Sequence, residues 1–260
     1  MLGKFLIYLF GRIIKVMANI IKLLCYPFHY LFPKKRFTLP VHAKPLFKSH
    51  KHTNIPKTLW QTNFTNKVTL PVYINYLFNR LMACTYDYRF MITEDRAGFI
   101  KTNYSSEIFE NYSKIQIGAA QADFWRLLVL HNKGGVYLDI DAHFIWPPGS
   151  IIKPDDNELY LTTKDGGISN HFFASKKDNP HLAKMIDIVM VNINENTLKN
   201  VYDLTGPAIL NQVLENMDVN TKNYRYICYQ GNFTNEFFQY IDKPEGKWCE
   251  AQKKIDIIKK

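Results

Sequence analysis

The first 86 residues of this 260-residue chain contain no aspartate and no glutamate. They hold 13 of the 33 lysines and arginines, which gives this segment a formal charge of +13. The rest of the chain has the other 20 basic residues and all 23 acidic ones, which sum to −3. A cationic segment favours a polyanionic partner, either nucleic acid or an anionic membrane surface. The slightly acidic remainder excludes a protein that is basic throughout.

Closely spaced cysteines are also lacking. Cys25, Cys84, Cys228 and Cys249 form no C-x-x-C pair, which excludes the common zinc and disulfide signatures and favours a reducing compartment. Hydrophobic residues nevertheless make up 47% of the chain and aromatic residues 15%. This composition supports a large core and excludes wholesale disorder.

Long uncharged hydrophobic runs are lacking near the N-terminus. Arg12, Lys15 and Lys22 interrupt the apolar sequence, which argues against a transmembrane helix and against a secretory signal. If residues 1–25 form a helix, the polar, small and basic residues fall on one stripe: Lys4, Tyr8, Gly11, Arg12, Lys15, Asn19 and Lys22. Apolar residues fill the opposite side with the period of an amphipathic helix.

This pattern predicts a helix in the membrane interface, with its apolar face in the acyl boundary and its cations toward anionic head groups. We expect the helix to end at Cys25-Tyr26-Pro27. Two alternatives remain open: the helix packs on the body or on another subunit, or it is a basic arm for nucleic acid. The membrane interpretation divides the chain into a membrane-association segment at 1–36, a linker at 37–54 and a folded domain at 55–260.

The folded domain shows short predicted strands that alternate with helices. The clearest helix is predicted at 118–132, with Gly134-Gly135 as its stop signal and a buried strand at 136–138 after it. Such alternation predicts an α/β sheet that is covered on both faces. Ligands bind such sheets at the carboxyl ends of strands, which is where Asp139 and Asp141 follow the buried strand.

A pair of aspartates in this position has two interpretations. They lie in a surface turn, where one side chain caps the backbone, or they hold a divalent cation such as Mg²⁺ or Mn²⁺. Asp123 and Arg126 share one face of the preceding helix and form either a surface ion pair or the wall of a pocket. Their alanine-rich and aromatic surroundings look buried, which favours the pocket.

The stretch from Ala119 to Asp141 resembles the signature of the DXD-containing sugar-binding glycosyltransferases. The family pattern is A-x-x-[SA]-D-x-x-R-x-x-x-L-x-x-x-G-G-x-Y-x-D-x-D, and every fixed position matches. Weaker similarities occur at Ile55–Gln61, which resembles the opening strand of the family, at Asn170–Ser175 and at Thr205–Pro207. The resemblance covers about residues 55–215.

The resemblance implies a GT-A type, Rossmann-like α/β fold, a UDP- or GDP-sugar donor, Mn²⁺ or Mg²⁺ as cofactor, and transfer that usually retains the anomeric configuration. Asp139 would contact the donor and help hold the metal, and Asp141 would bind the metal directly. Asp123 and Arg126 would bind the donor sugar and its phosphate side, and with Asp139 they form the predicted catalytic set. The other predicted substrate-binding residues are Trp60, Gln61, Gly134, Gly135, Tyr137, Asn170 and Trp248.

The C-terminal region departs from the family pattern. Family members often end with a His and a Gly-Ser-Trp, whereas this chain has Gly246-Lys247-Trp248 and no nearby His. Trp248 either covers the donor phosphates or is an ordinary core residue, and Lys247 is a candidate to supply charge in place of the serine. The third metal ligand is therefore left unassigned.

The leading hypothesis is a metal-dependent glycosyltransferase, peripheral (monotopic) at the cytoplasmic face of a membrane. It would extend a glycan or lipid-linked acceptor in polysaccharide or glycolipid biosynthesis, and it would have no nucleic-acid partner. One alternative is a metal-dependent phosphoryl-transfer enzyme or nuclease that uses Asp139 and Asp141, for which His143 is the nearest additional polar group. Another alternative is a non-catalytic membrane adaptor.

Overall fold

The strands of the chain are short runs with many aromatic and β-branched residues, which favour a pleated, half-buried surface. The computed structural model describes residues 2–49 and 51–259. Met1 of the predicted membrane segment, His50 of the predicted linker and Lys260 lie outside the described residues. In chain order the strands are β1 (Phe37–Thr38), β2 (His42–Ala43), β3 (Thr58–Thr62), β4 (Lys67–Val68), β5 (Asp87–Met91), β6 (Gly135–Leu138), β7 (Ala142–Phe144), β8 (Glu158–Thr162), β9 (Ile168–Ser175), β10 (Thr221–Asn223) and β11 (Cys228–Gln230).

The helices follow the apolar periodicity of the sequence and cover the sheet. In chain order they are α1 (Leu2–Leu31), α2 (Leu70–Met82), α3 (Thr93–Asn103), α4 (Ser106–Lys114), α5 (Gly118–Lys133), α6 (Pro148–Ile151), α7 (Pro180–Glu195), α8 (Val201–Leu204), α9 (Pro207–Leu214), α10 (Glu236–Tyr240) and α11 (Trp248–Lys254). Short 3₁₀ helices occupy Tyr224–Tyr226 and Pro244–Gly246. The predicted strand at 136–138 and helix at 118–132 are confirmed to within one residue.

Seven strands form one mixed sheet in the order β10-β8-β9-β6-β3-β5-β2. Strand β3 is parallel to both β5 and β6, and β10 is parallel to β8. The other neighbours are antiparallel. Because β3, β5 and β6 run in the same direction, their carboxyl ends meet at one edge of the sheet, and Asp139 directly follows β6 at that edge.

Both faces of the sheet are covered, as the alternation of strands and helices predicts. Val136 and Leu138 of β6 pack into a core with α2 on one face, while Tyr137 between them packs with Trp125 of α5 on the other. All four residues of β6 are buried for this reason. The α/β prediction is therefore confirmed.

Helix α1 is longer than predicted, because it continues through Pro27 to Leu31. A proline inside a helix removes one backbone hydrogen bond, which normally breaks or kinks the helix. Here packing on both sides of Pro27 supports the last turn. The Cys25 side chain is buried, and Nε2 of the buried His29 accepts a hydrogen bond of 3.0 Å from the backbone N–H of Leu70.

Helix α1 docks on the body through a narrow stripe and exposes the rest of its apolar surface. The docked residues are spaced by three, four or seven positions: Gly11, Ile14, Ala18, Cys25 and His29. The exposed apolar residues lie on the opposite side: Phe5, Leu6, Leu9, Ile13, Val16, Met17, Ile20 and Leu24. Within residues 2–49 and 51–259, no helix combines the length and hydropathy needed to cross a bilayer.

The segment 37–54, predicted as a linker, is attached to the body by backbone pairing. Strand β1 pairs with β4, and β2 adds an antiparallel edge strand to the main sheet beside β5. The backbone of Asn54 also donates a hydrogen bond of 2.9 Å to the carbonyl of Pro154. These contacts hold α1 at a defined place on the body.

Candidate active site

A cleft of about 810 Å³ opens at the carboxyl ends of β3 and β6. Its wall includes seven of the predicted site residues: Asp123, Arg126, Tyr137, Asp139, Asp141, Asn170 and Trp248. Volumes of about 300–1,000 Å³ are typical of small-ligand sites. We call this cavity the donor cleft.

The backbone of Asp139 is held from both neighbouring strands. Its N–H donates to the carbonyl of His171 at 2.9 Å, and its carbonyl accepts from Nε2 of Gln61 at 3.1 Å. The N–H of Ala142 donates to the same carbonyl at 3.0 Å, which closes a turn that contains Asp141. The D-x-D motif is therefore a rigid turn at the sheet edge.

The two carboxylates of this turn converge on one donor, Gln230 of β11. Its Nε2 lies 3.0 Å from Oδ1 of Asp141 and 3.4 Å from Oδ2 of Asp139. Burial, followed by repulsion from Asp139, raises the pKa of Asp141 to about 7. Two half-buried carboxylates that repel each other at the edge of a polar cleft are suited to a hard divalent cation. The residues present thus fit Mn²⁺ or Mg²⁺, which Asp139 and Asp141 would hold.

A buried charge network stands next to the motif. Arg126 lies 2.7 Å from Oδ1 of Asp123 and 3.3 Å from Oδ1 of Asp139, and its guanidinium stacks 4.4 Å from the ring centre of Tyr137. The hydroxyl of Tyr137 donates to Oδ1 of Asp139 at 2.6 Å. Asn170 donates to Oδ1 of Asp123 at 2.9 Å, and its carbonyl accepts from Arg126.

Burial dominates the electrostatics of this network. It raises the pKa of Asp123 to about 7, although the positive charge of the Arg126 guanidinium acts to lower this pKa. Burial alone would lower the pKa of Arg126, but Tyr137, Asp139 and Asp123 outweigh it, so the pKa lies above its ordinary value. Charges this deep are costly unless they are paired. The predicted pocket interpretation of Asp123 and Arg126 therefore agrees with their position.

Trp60 and Gln61 occupy places other than those predicted. Trp60 points into the core, where its indole N–H donates to the carbonyl of Gly134 at 2.9 Å and its ring packs edge-on against Trp125. Gln61 is fully buried between Asp139 and Tyr88, whose hydroxyl donates to it at 3.2 Å. Neither side chain lines the donor cleft. Trp60 supports the sheet, and Gln61 positions the backbone of Asp139.

Gly134 and Gly135 also act away from the cleft, at the start of β6. Both have positive φ, +66° and +114°. A Cβ on Gly134 would lie 2.8 Å from the backbone nitrogen of Lys177, and one on Gly135 would lie 2.7 Å from the carbonyl of Thr58. A side chain at either position would therefore collide with neighbouring backbone atoms, and neither glycine lines the cleft as a predicted substrate-binding residue would.

The C-terminal wall of the cleft uses a different lysine from the expected one. Lys247 forms an ion pair with Glu236 at 2.6 Å and does not line the cleft. Lys243 does line it, 5.6 Å from the ring centre of Phe64. Trp248 lines the cleft with 38% of its surface exposed, so it is not an ordinary core residue.

Three residues that line the cleft were not predicted from the sequence: His171, Gln230 and Lys243. Gln230 is 89 residues from Asp141, and it approaches only because β11 pairs with β7. His171 lies inside the segment Asn170–Ser175, but its own position carries no motif signal. Lys243 is one of several lysines near the C-terminus, and local sequence does not distinguish it from Lys247.

His143 has no access to the cleft. It is fully buried, and its ring nitrogens lie 3.1 Å from the Phe144 carbonyl and 3.1 Å from the Asn232 amide. Burial lowers the pKa of His143 to about 4. Among the residues that the structure describes, no group of three His, Cys, Asp or Glu side chains is placed to hold a metal ion. The phosphoryl-transfer alternative is not favoured, because His143, the one additional polar group that it could use, is buried away from the cleft.

Comparison with known proteins agrees with the motif. Residues 71–160 match the family model described as the glycosyltransferase sugar-binding region containing a DXD motif. The chain is 30% identical over 124 residues to the initiation-specific alpha-1,6-mannosyltransferase of Schizosaccharomyces pombe. This alignment covers 44% of this chain and 28% of that protein. The chain is also 33% identical over 101 residues to a toxin of Photorhabdus asymbiotica. That alignment covers 37% of this chain and 3% of the toxin.

The fold has a solved counterpart. The PaToxG glycosyltransferase superposes on 96% of this chain and 84% of its own, with a TM-score of 0.51 and 17% identity. At this identity the likeness concerns the fold alone. Residues 71–160 thus match the model of this glycosyltransferase region, and the fold is similar to that of a solved glycosyltransferase. The chain spans less than a third of the length of the two curated relatives.

Proposed function

We propose that this protein is a metal-dependent glycosyltransferase with a GT-A type domain that uses a nucleotide-sugar donor. The observation that carries this proposal is the meeting of Asp139, Asp141 and Arg126 in one cleft at a sheet edge, inside the segment that matches the family model. Two acidic ligands and a buried cation are the groups that a sugar diphosphate needs. A UDP- or GDP-sugar is the proposed donor.

Asp139 and Asp141 would hold the Mn²⁺ or Mg²⁺, whose charge would stabilise the departing nucleoside diphosphate. Arg126 is preorganised by its bonds to Asp123 and Asp139 and offers a planar donor fork to sugar or phosphate oxygens. Lys243 and Trp248 line the wall of the same cleft and would close over the phosphates.

The transfer would form a bond between an acceptor hydroxyl oxygen and the anomeric carbon, while the bond from that carbon to the diphosphate oxygen breaks. The hydroxyl proton would pass to an oxygen of the leaving diphosphate on the same face, which retains the configuration. This route needs no dedicated base. Asp123 and Arg126 would orient the donor sugar, with Asn170 holding Asp123 in place.

We further propose that the acceptor is a glycan or lipid-linked molecule at the cytoplasmic face of a membrane, in polysaccharide or glycolipid biosynthesis. The support is α1, which docks by one stripe and exposes a row of large apolar side chains, with Lys4 and Arg12 also exposed beside it. A helix with this division of residues binds anionic bilayers in the interface plane. The protein would be peripheral and monotopic.

The direct test is a screen of UDP- and GDP-sugars with Mn²⁺ in which slow hydrolysis of the donor is measured without an acceptor. We expect one donor to be hydrolysed, and chelation of the metal to stop the reaction. A chain that hydrolyses none of these donors, and binds none of the nucleotides in the presence of Mn²⁺, would contradict the proposed function.

A further inference from the structure

The side chain of Gln230 lies against both carboxylates of the D-x-D motif. Its Nε2 is 3.0 Å from Oδ1 of Asp141 and 3.4 Å from Oδ2 of Asp139. The other oxygen of Asp139, Oδ1, accepts from the Tyr137 hydroxyl at 2.6 Å and lies 3.3 Å from Arg126. The oxygen that Asp139 has left for a cation is therefore the one that faces Gln230.

The backbone around Gln230 is fixed relative to the motif. Strand β11 pairs with β7, and their register places Gln230 opposite Ala142, the residue that follows Asp141. The N–H of Gly231 also donates to the carbonyl of Asp141 at 3.0 Å. The turn that positions Asp141 thus positions Gln230 as well, so its side chain reaches the carboxylates without any movement of the chain.

The spacing of these side-chain atoms fits neighbouring ligands of one cation. Mg²⁺ binds oxygen atoms in an octahedral shell at about 2.0–2.1 Å, so adjacent ligands in that shell lie about 3 Å apart. Nε2 of Gln230 is at this distance from Asp141 and only slightly farther from Asp139. An oxygen in the place of Nε2 would therefore be adjacent to both carboxylate oxygens in the shell.

The chemical type of a further ligand is restricted by the rest of the site. In the described part of the chain, no three His, Cys, Asp or Glu side chains are grouped so that they could hold a metal ion. A third protein ligand beside Asp139 and Asp141 is then an amide, a hydroxyl or a backbone carbonyl, and carbonyl oxygens suit Mg²⁺ and Mn²⁺.

The amide of Gln230 can present either of its two ends. Its NH₂ group donates to the carboxylates but has no lone pair to offer to a cation, whereas its carbonyl oxygen does. Half a turn about the terminal side-chain bond exchanges Nε2 and Oε1. This torsion is broad and roughly two-fold in glutamine, so the exchange meets little intrinsic resistance.

We propose that Gln230 is the third protein ligand of the cation in the donor cleft. In the absence of the cation, its NH₂ group bridges the two carboxylates. When the cation binds, the amide turns and Oε1 joins Oδ2 of Asp139 and Oδ1 of Asp141 as a ligand. The inference rests on the proposed metal-dependent function and adds to the D-x-D pair a ligand from a distant strand.

The test measures metal affinity in the full chain and needs no turnover. Mn²⁺ is titrated in, and the free ion is followed by its electron paramagnetic resonance signal. Gln230→Met keeps an unbranched side chain of similar length without a hard oxygen, at an exposed position where the core is not disturbed. We expect Mn²⁺ to bind this variant about tenfold or more weakly, as when a group that holds a metal site is lost. The matched control, Gln239→Met in the wall of the same cleft, should bind Mn²⁺ as the wild type does.

A second variant, Gln230→His, tests the same contact through metal preference. Imidazole nitrogen suits Ni²⁺ better than Mn²⁺, so a histidine that ligates the ion should change which metal is preferred. We expect the ratio of Ni²⁺ to Mn²⁺ affinity, measured by competition, to rise by about tenfold or more over that of the wild type. A residue that only hydrogen-bonds to the carboxylates would leave this ratio unchanged.

Mn²⁺ binding by Gln230→Met that is equal to or tighter than that of the wild type would overturn the inference, because the amide would then be a hydrogen-bond donor that the ion displaces. An unchanged metal preference in Gln230→His would also overturn it. In both cases the proposed function stands as long as the wild-type chain binds Mn²⁺ and hydrolyses a donor. If the wild-type chain binds no Mn²⁺, with or without the nucleotides of the donor screen, the inference and the proposed metal dependence fail together.

Discussion

Gln230 donates its side-chain amide to Asp141 at 3.0 Å, and the same nitrogen lies 3.4 Å from Asp139. One amide on β11 thus spans the two acidic residues of the D-x-D motif. It also lines both the donor cleft and a second cavity between α1 and β11. This relationship ties the position of β11 to the two carboxylates of the proposed metal site.

Replacement of Asp141 tests the metal site. Asp141→Asn keeps the shape of the side chain but removes the charge of a proposed hard-ion ligand. We expect donor hydrolysis with Mn²⁺ to fall by about 100-fold or more, as for the loss of a major electrostatic contact in a transition state. The matched control is Asp218→Asn, at an exposed aspartate outside the cleft. Full activity of Asp141→Asn would exclude it as a metal ligand.

The buried ion pair of Asp123 and Arg126 predicts a non-additive effect on stability. Arg126→Gln leaves two carboxylates without their cation, and removal of one partner of a buried pair costs about 3–5 kcal/mol. The double variant Asp123→Asn/Arg126→Gln removes one of these charges and should be more stable than Arg126→Gln alone. Urea unfolding measures both free energies. A double variant that is less stable than Arg126→Gln would show that the unpaired carboxylate of Asp123 is not what destabilises the single variant.

Gly135, the first residue of β6, predicts a loss of stability when it is replaced. Gly135→Ala puts a Cβ 2.7 Å from the carbonyl of Thr58 at a φ of +114°, whereas Gly166→Ala has a φ of +87° but open space around it. Backbone strain at positive φ costs about 1–3 kcal/mol in either case. The steric clash should make Gly135→Ala clearly less stable than Gly166→Ala in thermal unfolding. Equal losses would show that strand packing tolerates a methyl group at residue 135.

The exposed face of α1 predicts membrane association. Ile13→Gln/Ile20→Gln replaces two side chains that are 57% and 54% exposed, and Val191→Gln/Met217→Gln replaces two exposed apolar residues elsewhere. Only the first pair should reduce sedimentation with anionic liposomes, since loss of buried apolar surface weakens interfacial binding. Unchanged sedimentation would mean that this face does not contact the bilayer. Deletion of residues 1–35 is a poorer test, because it would also uncover the docked stripe.

The docking of α1 should depend on pH through His29. Burial, followed by the nearby Arg36, lowers the pKa of His29 in the folded protein. The unfolded state, with a pKa of about 6.5, takes up a proton that the folded state resists. The free energy of unfolding is therefore unaffected by His29 when the pH is above this unfolded-state pKa, and it falls as the pH drops below it. His29→Gln should show a smaller loss of thermal stability between pH 7 and pH 5, and parallel pH profiles would contradict this assignment.

Local patterns in the sequence were sufficient for the centre of the fold and part of the site. The periodicity of residues 118–132 and the apolar run at 136–138 predict α5 and β6, and the D-x-D pair follows directly at the sheet edge. Asp123 and Arg126 are one helical turn apart, so their pairing is also a local property. These residues lie within one continuous stretch, which explains why they could be predicted together.

Predictions failed where a contact depends on distant residues. Trp60 was predicted to bind the substrate, but its side chain points from β3 into the core and packs against Trp125. Lys247 was expected in the cleft, but Glu236 pairs with it and Lys243 lines the cleft instead. Helix α1 continues past Pro27 because Cys25 and His29 are buried, which no local rule anticipates.

The sequence by itself determined the motif, the alternation of strands and helices, and the amphipathic character of the first helix, because each depends on residues that are close along the chain. Only the tertiary structure decided which side of α1 faces the body. It placed Arg12 and Lys15 beside β11, more than 200 residues away, and it brought Gln230 to the D-x-D pair. The physical reason is that burial of one narrow stripe of α1 orients the whole helix, so its remaining faces acquire their neighbours through packing.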